Sequence, residues 1–321
     1  MQLPGHSMEQ AACVAGPLLY ANGNLRITAS APARSTGWTI PRVLGCGAGG
    51  RSPLITSYDK YVKDENFLAF YNDYQKRYAG QIAERDKVML GLIAEKTQGR
   101  GALLDIGCST GNLLFHIKRA FPEMTLAGGE LAESSLTAAR GNPDLVRIDF
   151  RAMDMLDIPG QYDCITANAV TYLFNHAEYE KAVASIACAL RPNGTFISFD
   201  WYHAFDGQDL AITEFTAGHP DGIVIHARPY SRVSDIFRKA GLDGITFQPF
   251  RIPIDLPEPE DKSGDPITFT VKQENGDRLC MRGHCFNHGV MSWRRRHSNP
   301  SKQPHPIMAY VKWACGHDCD E

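Results

Sequence analysis

No stretch of the sequence stays apolar for the roughly 20 residues that a membrane-spanning helix requires, so a membrane partner is not expected. Neither charge is in marked excess: 33 Lys and Arg stand against 36 Asp and Glu, a formal net charge of −3. Such a balance argues against a nucleic-acid partner, which would select a basic face, and against attachment to anionic lipid. The N-terminus lacks a basic segment followed by a long apolar run, so secretion is not expected. The nine cysteines fall at irregular spacings in a chain too long for a disulfide-stapled miniprotein. Most sit inside expected strands and helices, and they read as reduced, buried thiols of a cytoplasmic protein. What is present is an ordinary globular composition, 43% hydrophobic and 21% charged over 321 residues, enough for one large domain or two.

Three textures divide the chain. Residues 1–56 are rich in Gly, Ala, Pro and Ser and hold no lasting helical or strand period, so they are expected to form an irregular N-terminal extension. Their glycine run, Gly45 to Gly50, is fed by no strand and followed by no helix, which argues against a phosphate loop. Residues 57–283 alternate between helices and strands. A helix is expected from Asn66 to Lys96, then a buried strand over 102–106, a helix over 112–121 and a strand over 124–128. A helix over 133–140 follows, with strands over 146–152 and 162–168. The amphipathic stretch 176–190 stops at Pro192-Asn193-Gly194, before a strand over 195–200. A helix over 231–240 precedes late strands over 245–254 and 267–281, the latter folded about Glu274-Asn275-Gly276-Asp277 as a hairpin. This alternation predicts an α/β domain, its parallel sheet covered by helices on both faces. Residues 284–321, crowded with His, Arg, Trp, Cys and Pro, are expected to be an irregular tail.

The stretch with chemical content runs Leu103-Leu104-Asp105-Ile106-Gly107-Cys108-Ser109-Thr110-Gly111-Asn112. A strand, a tight glycine turn and a helix start place a ligand over the strand's carboxyl end. Gly107 and Gly111 permit sharp turning and close approach. The Gly-x-x-x-Gly spacing is neither that of nicotinamide enzymes nor that of a nucleotide-phosphate loop.

On these residues, and on the ordered features that follow them, the segment from Ser57 to Asp255 resembles the class I S-adenosylmethionine-dependent methyltransferases. The resemblance implies a Rossmann-like, doubly wound sheet of seven mostly parallel strands, with S-adenosylmethionine as cofactor. It assigns the methionine half of the cofactor to the turn, through Asp105, Gly107, Cys108, Ser109, Gly111 and Asn112. Glu130, with Leu131 beside it, stands where the family places an acid for the ribose hydroxyls. Met153-Asp154-Met155 stands where an acid meets the adenine amino group, and Asp157 is close enough to be the alternative. Asn168 ends the fourth strand, beside the expected methyl position. An acid near the turn suits a cofactor that carries a sulfonium and an ammonium, and one carboxylate suits two hydroxyls. Asp105 and Glu130 also have structural readings, as a turn cap and as the N-terminal acid of a helix.

The expected function is methyl transfer to a small-molecule acceptor, by a monomer or homodimer. The tetrapeptide Ala167-Asn168-Ala169-Val170 lacks the motifs of base-methylating enzymes, which again disfavours a nucleic-acid substrate. By family analogy the acceptor pocket draws on Tyr58, Tyr61, Tyr71 and Tyr78, on Asn168 and Tyr172, and on Trp201, Tyr202 and His203. His203 and Tyr172 are the catalytic candidates, His203 as a proton acceptor, although it also reads as a surface loop histidine. A non-catalytic cofactor-binding module is the alternative from another class, and a nicotinamide dehydrogenase is disfavoured by the turn spacing. Cys280, His284, Cys285, His288, Cys315, His317 and Cys319 are zinc-ligand types without paired Cys-x-x-Cys spacing, so no metal site is expected. The stretch His284–Trp293 is compatible with a one-base-shifted reading of a strand-like string, Ala-Leu-Phe-Gln-Pro-Trp-Cys-His-Val-Val. That suggests a frame shift near Gly283, which the nucleotide sequence tests.

Overall fold

A computed structural model describes residues 25–30, 57–215, 222–258, 260 and 268–282. The expected tail 284–321 and the glycine run 45–50 lie outside the described residues, as do the zinc-ligand types named above apart from Cys280, which falls in a late strand.

The central sheet is built from β2 (Ala102–Ile106), β3 (Thr125–Glu130), β4 (Asp149–Ala152), β5 (Tyr162–Asn168) and β6 (Leu190–Phe199). A further strand, β1 (Leu25–Ser30), precedes them in the chain. The five pair in parallel in the order β4-β3-β2-β5-β6. Side chains of a strand point alternately to the two faces, and here both faces are apolar. Leu103 and Cys164 enter one core with Met89, Ile93, Leu114, Ile117 and Leu136. Leu104 and Ile165 enter the other with Tyr179, Val183, Ile186, Val233 and Ile236. The first core is covered by α3 (Glu84–Thr97), α4 (Asn112–Ala120) and α5 (Glu133–Arg140), and the second by α6 (His176–Ala189) and α7 (Tyr230–Lys239). Two further helices, α1 (Ser57–Lys63) and α2 (Glu65–Arg77), precede this layer in sequence. Strand order reverses between β2 and β5, and such a reversal opens a crevice above the strand ends.

The α/β class and the parallel sheet agree with the sequence reading, while several boundaries differ. The helix expected over 66–96 is two helices, broken where Gly80 takes φ +79°. The strand expected over 245–254 is absent, and the described residues place five strands, not seven, in the parallel sheet. Pro249 and Pro253 interrupt that stretch, and each removes a backbone donor that a ladder would need. Ile252 and Leu256 instead form a small apolar cluster with Phe250 and Ile254. The late hairpin forms where expected, as β10 (Thr268–Lys272) and β11 (Arg278–Arg282), in a separate two-stranded sheet.

A second sheet was not foreseen. It comprises β7 (Tyr202–His203), β8 (Asp209–Glu214) and β9 (Ile223–Pro229), and its order is β1-β8-β9-β7. Leu25–Ser30 thus leaves the irregular extension and pairs antiparallel with Glu214–Asp209. Among the described cysteines, Cys108 and Cys164 are buried thiols as expected, whereas Cys188 is exposed. No helix among the described residues is long and apolar enough to cross a membrane.

Candidate functional site

The turn after β2 is shaped by three residues with positive φ: Gly107 at +73°, Ser109 at +49° and Gly111 at +83°. The N–H groups of Gly107 and Cys108 both donate to the Gly129 carbonyl, at 2.7 and 3.1 Å, tying the turn to β3. A Cβ on Gly107 would stand 2.5 Å from Val170 Cγ2, and one on Gly111 would stand 2.8 Å from Leu145 Cδ1. Both positions therefore need glycine for space as well as for conformation.

Above the strand ends lies an open cleft. Its floor is Ile106, Gly107 and Ser109 from the turn, with Asn168, Ala169 and Val170 after β5. One side carries Glu130, Leu131 and Ser135, and beyond them Met153 and Met155. The roof is apolar and aromatic: Tyr58, Tyr61 and Val62 from α1, Leu68 and Tyr71 from α2, and Leu173 opposite. Helix α2 is held down by Asn72, which accepts from the Ser135 hydroxyl at 2.8 Å, and by Gln75, whose Oε1 accepts from Asn112 Nδ2 at 2.6 Å.

Glu130 Oε1 accepts from the N–H groups of Leu131 and Ala132, at 2.8 and 3.0 Å, and Oε2 accepts from Ser109 N–H at 3.0 Å. Burial raises its pKa, opposed by these three bonds. Asp105 is 2% exposed and accepts from the Thr166 hydroxyl at 2.7 Å. Burial pushes it up to about 7, with Thr166 pulling the other way. Asp154 Oδ1 accepts from the Tyr58 hydroxyl at 2.9 Å and from Leu156 N–H at 2.8 Å, so the roof is fastened to the loop after β4.

A further polar group surrounds the turn. Asn168 Nδ2 donates to Asp86 Oδ1 at 3.1 Å, and Arg85 Nε stands 3.4 Å from the same oxygen. Arg85 Nε and Nη1, Asn168 Oδ1, Ser109 Oγ and Thr110 Oγ1 are buried with no hydrogen-bond partner. Buried polar groups are ordinarily paired, so a cluster of orphans beside a cleft points to a polar ligand.

Of the cofactor residues expected from the sequence, Gly107, Ser109, Glu130, Leu131, Met153, Met155 and Asn168 line the cleft. The other five stand outside its lining. Asp105 turns to Thr166, Asn112 to Gln75 and Asp154 to Tyr58, while Gly111 packs toward Leu145 and Phe150. Cys108 Sγ lies 3.7 Å from the Ser109 carbonyl in the core, and burial raises its pKa well above the ordinary thiol value. The two catalytic candidates are not brought to the cleft. Tyr172 is 4% exposed and stacks on Trp201 with ring centroids 5.2 Å apart. His203 is drawn into the second sheet, where β7 pairs with β9, and its Nδ1 accepts from Phe205 N–H at 3.2 Å. Tyr78 packs on Tyr74 rather than on the cleft. Arg85 and Asp86 escaped sequence reasoning. On a charged helix face nothing local marks them, and their partner Asn168 lies 82 residues away. Among the described residues no group of three or more His, Cys, Asp or Glu side chains is placed to hold a metal.

A family model described as a methyltransferase domain matches residues 103–194. Among curated proteins, the chain is 31% identical over 138 residues to dTDP-3-amino-3,4,6-trideoxy-alpha-D-glucopyranose N,N-dimethyltransferase of Streptomyces venezuelae, covering 41% of this chain and 54% of that protein. It is 27% identical over 138 residues to the carboxy-S-adenosyl-L-methionine synthase of Campylobacter hominis, covering 42% and 58%. The chain thus spans little more than half the length of these relatives. Among solved structures, the amino pentose methyltransferase CalS10 from Micromonospora echinaspora is similar at 23% identity, with a TM-score of 0.41 over 54% of this chain and 88% of that one.

Proposed function

We propose, from the premise that residues 103–194 form a class I S-adenosylmethionine-dependent methyltransferase domain, that this chain transfers a methyl group from S-adenosylmethionine to a small-molecule acceptor. One observation carries the reading beyond the family match: the orphaned polar atoms of Arg85, Ser109, Thr110 and Asn168 around the glycine turn. An amino-acid end suits them, since its carboxylate accepts from guanidinium and hydroxyl donors and its ammonium donates to the Asn168 carbonyl oxygen. Glu130 is the acid for the ribose hydroxyls, and Leu131, Met153 and Met155 offer apolar contact to the adenine.

When bound, S-adenosylmethionine supplies an electrophilic methyl group on a sulfonium. The residues of the chain contribute position and dryness. The tyrosine roof, fastened through Tyr58 and Asp154, covers one side of the cleft and would shed water from the reacting atoms once ligands fill it, and Asn168 and Val170 border the floor at the end of β5. Alignment and water exclusion account for most of the acceleration of an in-line displacement. The ionisable side chains lining the cleft are Glu130, Tyr58, Tyr61 and Tyr71. Burial raises the pKa of Tyr58 and of Tyr71, so neither is a ready base near neutral pH.

Calorimetric titration with S-adenosylmethionine, S-adenosylhomocysteine and NAD tests the reading. Binding of the first two without NAD supports it, and preference for NAD sinks it. Release of S-adenosylhomocysteine with small acceptors separates an enzyme from a binding module.

A further inference from the structure

The methyltransferase reading fills the turn, Glu130 and the methionine side of the cleft with cofactor and leaves an apolar compartment for the acceptor. Its walls are Tyr61 and Val62 from α1, Leu68 and Tyr71 from α2, and Val170 and Leu173 after β5. The aromatic rings are braced. Tyr61 meets Tyr71 edge-on at 6.4 Å, and Phe67 stacks on Tyr71 at 5.9 Å.

Among the described residues, the cations near this compartment are engaged elsewhere. Lys60 donates to the Gly222 carbonyl at 3.2 Å, Lys63 pairs with Asp59 at the surface, and Arg85 faces Asp86. Asp154 is held by Tyr58, and Glu130 by three backbone N–H groups. A phosphate or carboxylate entering here would shed its water beside Glu130 and Asp154 and gain no free cation, which is strongly unfavourable. A flat ring would exchange water for edge and face contacts with the tyrosines.

We infer that the acceptor is a flat aromatic molecule without an anionic group, bound between the α1–α2 tyrosines and the Val170–Leu173 segment. The inference rests on the methyltransferase reading and sets this chain apart from a relative named for a nucleotide-linked amino sugar.

Probes that share one ring system and differ in charge test it. The full chain is first titrated with S-adenosylhomocysteine and then, saturated with it, with 2-naphthol, 2-naphthoate, 2-naphthyl phosphate and the non-aromatic cyclohexanol. The expected result is that 2-naphthol binds at least tenfold more tightly than each of the others. A smaller margin, or no binding of 2-naphthol, overturns the inference while the cofactor reading stands. Failure of S-adenosylhomocysteine to bind removes that reading itself. Val62→Arg, at a half-buried position, supplies the missing cation. It should raise 2-naphthoate affinity at least tenfold in a chain that still binds S-adenosylhomocysteine, and an unchanged order of probes in that chain means the ring binds elsewhere.

Discussion

The backbone N–H of Ser109 donates to Glu130 Oε2 at 3.0 Å, so the acid at the end of β3 holds the glycine turn that follows β2. Its other oxygen serves the start of α5 through Leu131 and Ala132. These three bonds are structural, and the proposed ribose contact would be made in addition to them.

Glu130→Ala should affect both. Three backbone donors lose their acceptor, and a net loss of about 1–3 kcal/mol in stability is expected. Loss of the ribose acceptor should raise the S-adenosylmethionine dissociation constant more than tenfold. Glu130→Gln should fare little better, because its amide nitrogen would turn a donor toward a donor. Melting curves paired with calorimetric titration separate the roles, and lowered stability with unchanged affinity would rule out the ribose contact.

Arg85, ion-paired with Asp86 but unpartnered at its buried Nη1, makes a sharper test of the amino-acid end. Arg85→Gln should weaken S-adenosylmethionine by about 1.5–3 kcal/mol, the range for a hydrogen bond to a charged group. Adenosine, which lacks that end, should bind both proteins alike. An equal loss for the two ligands would place Arg85 outside the binding site.

Gly107 and Val170 occupy one packing space. Gly107→Ala would put a Cβ 2.5 Å from Val170 Cγ2 at a φ of +73°, so it should lower both stability and cofactor affinity. Gly107→Ala with Val170→Ala relieves the clash and leaves the backbone strain, which costs on the order of 1 kcal/mol. The double variant should therefore be the more stable of the two in urea unfolding, and no recovery would show that the clash is not the cause.

A cation buried between the sheets fixes the cleft wall. Arg228, 2% exposed and 4.1 Å over the Tyr179 ring, donates to the carbonyls of Thr171, Phe174 and Asn175. Arg228→Met would strand these carbonyls and should destabilise the fold by about 3 kcal/mol. Denaturant titration checks this, and a change below about 0.5 kcal/mol would mean that the segment holds itself.

What the sequence made legible was local. The turn could be read because Gly107 and Gly111 mark positive φ within five residues of a strand, and Glu130 because it ends the next strand. Helix α6 could be read from the amphipathic stretch 176–190, and the structure adds a capping box between Asn175 and Glu178 at its start. The illegible part is tertiary. Tyr58 finds Asp154 across 96 residues, and Asn168 finds Asp86 across 82. No periodicity encodes such meetings. His203 drew attention as a histidine after β6, yet its place was decided by strand pairing with β9, an element whose own sequence gave little sign of it. Pro249 and Pro253 were visible throughout, and their effect on the ladder outweighs the apolar pattern around them.

Asp105 gives the fold a pH dependence of unusual sign. Its pKa rises from an ordinary 3.8 to about 7, chiefly through burial. A carboxyl with a raised folded pKa holds its proton more tightly in the native state than in the unfolded one. Between about pH 4 and pH 7 the native state therefore binds more protons, and this group's contribution to stability falls as pH rises, levelling off above 7. At about 1.4 kcal/mol per pH unit the full loss is on the order of 4 kcal/mol. Asp105→Asn keeps an acceptor for the Thr166 hydroxyl and removes the titration. The variant should be more stable than the parent at pH 8 by a few kcal/mol and by clearly less at pH 5. Urea unfolding at the two pH values measures this, and a gain that does not shrink on acidification would mean that Asp105 is ionised in the fold at both.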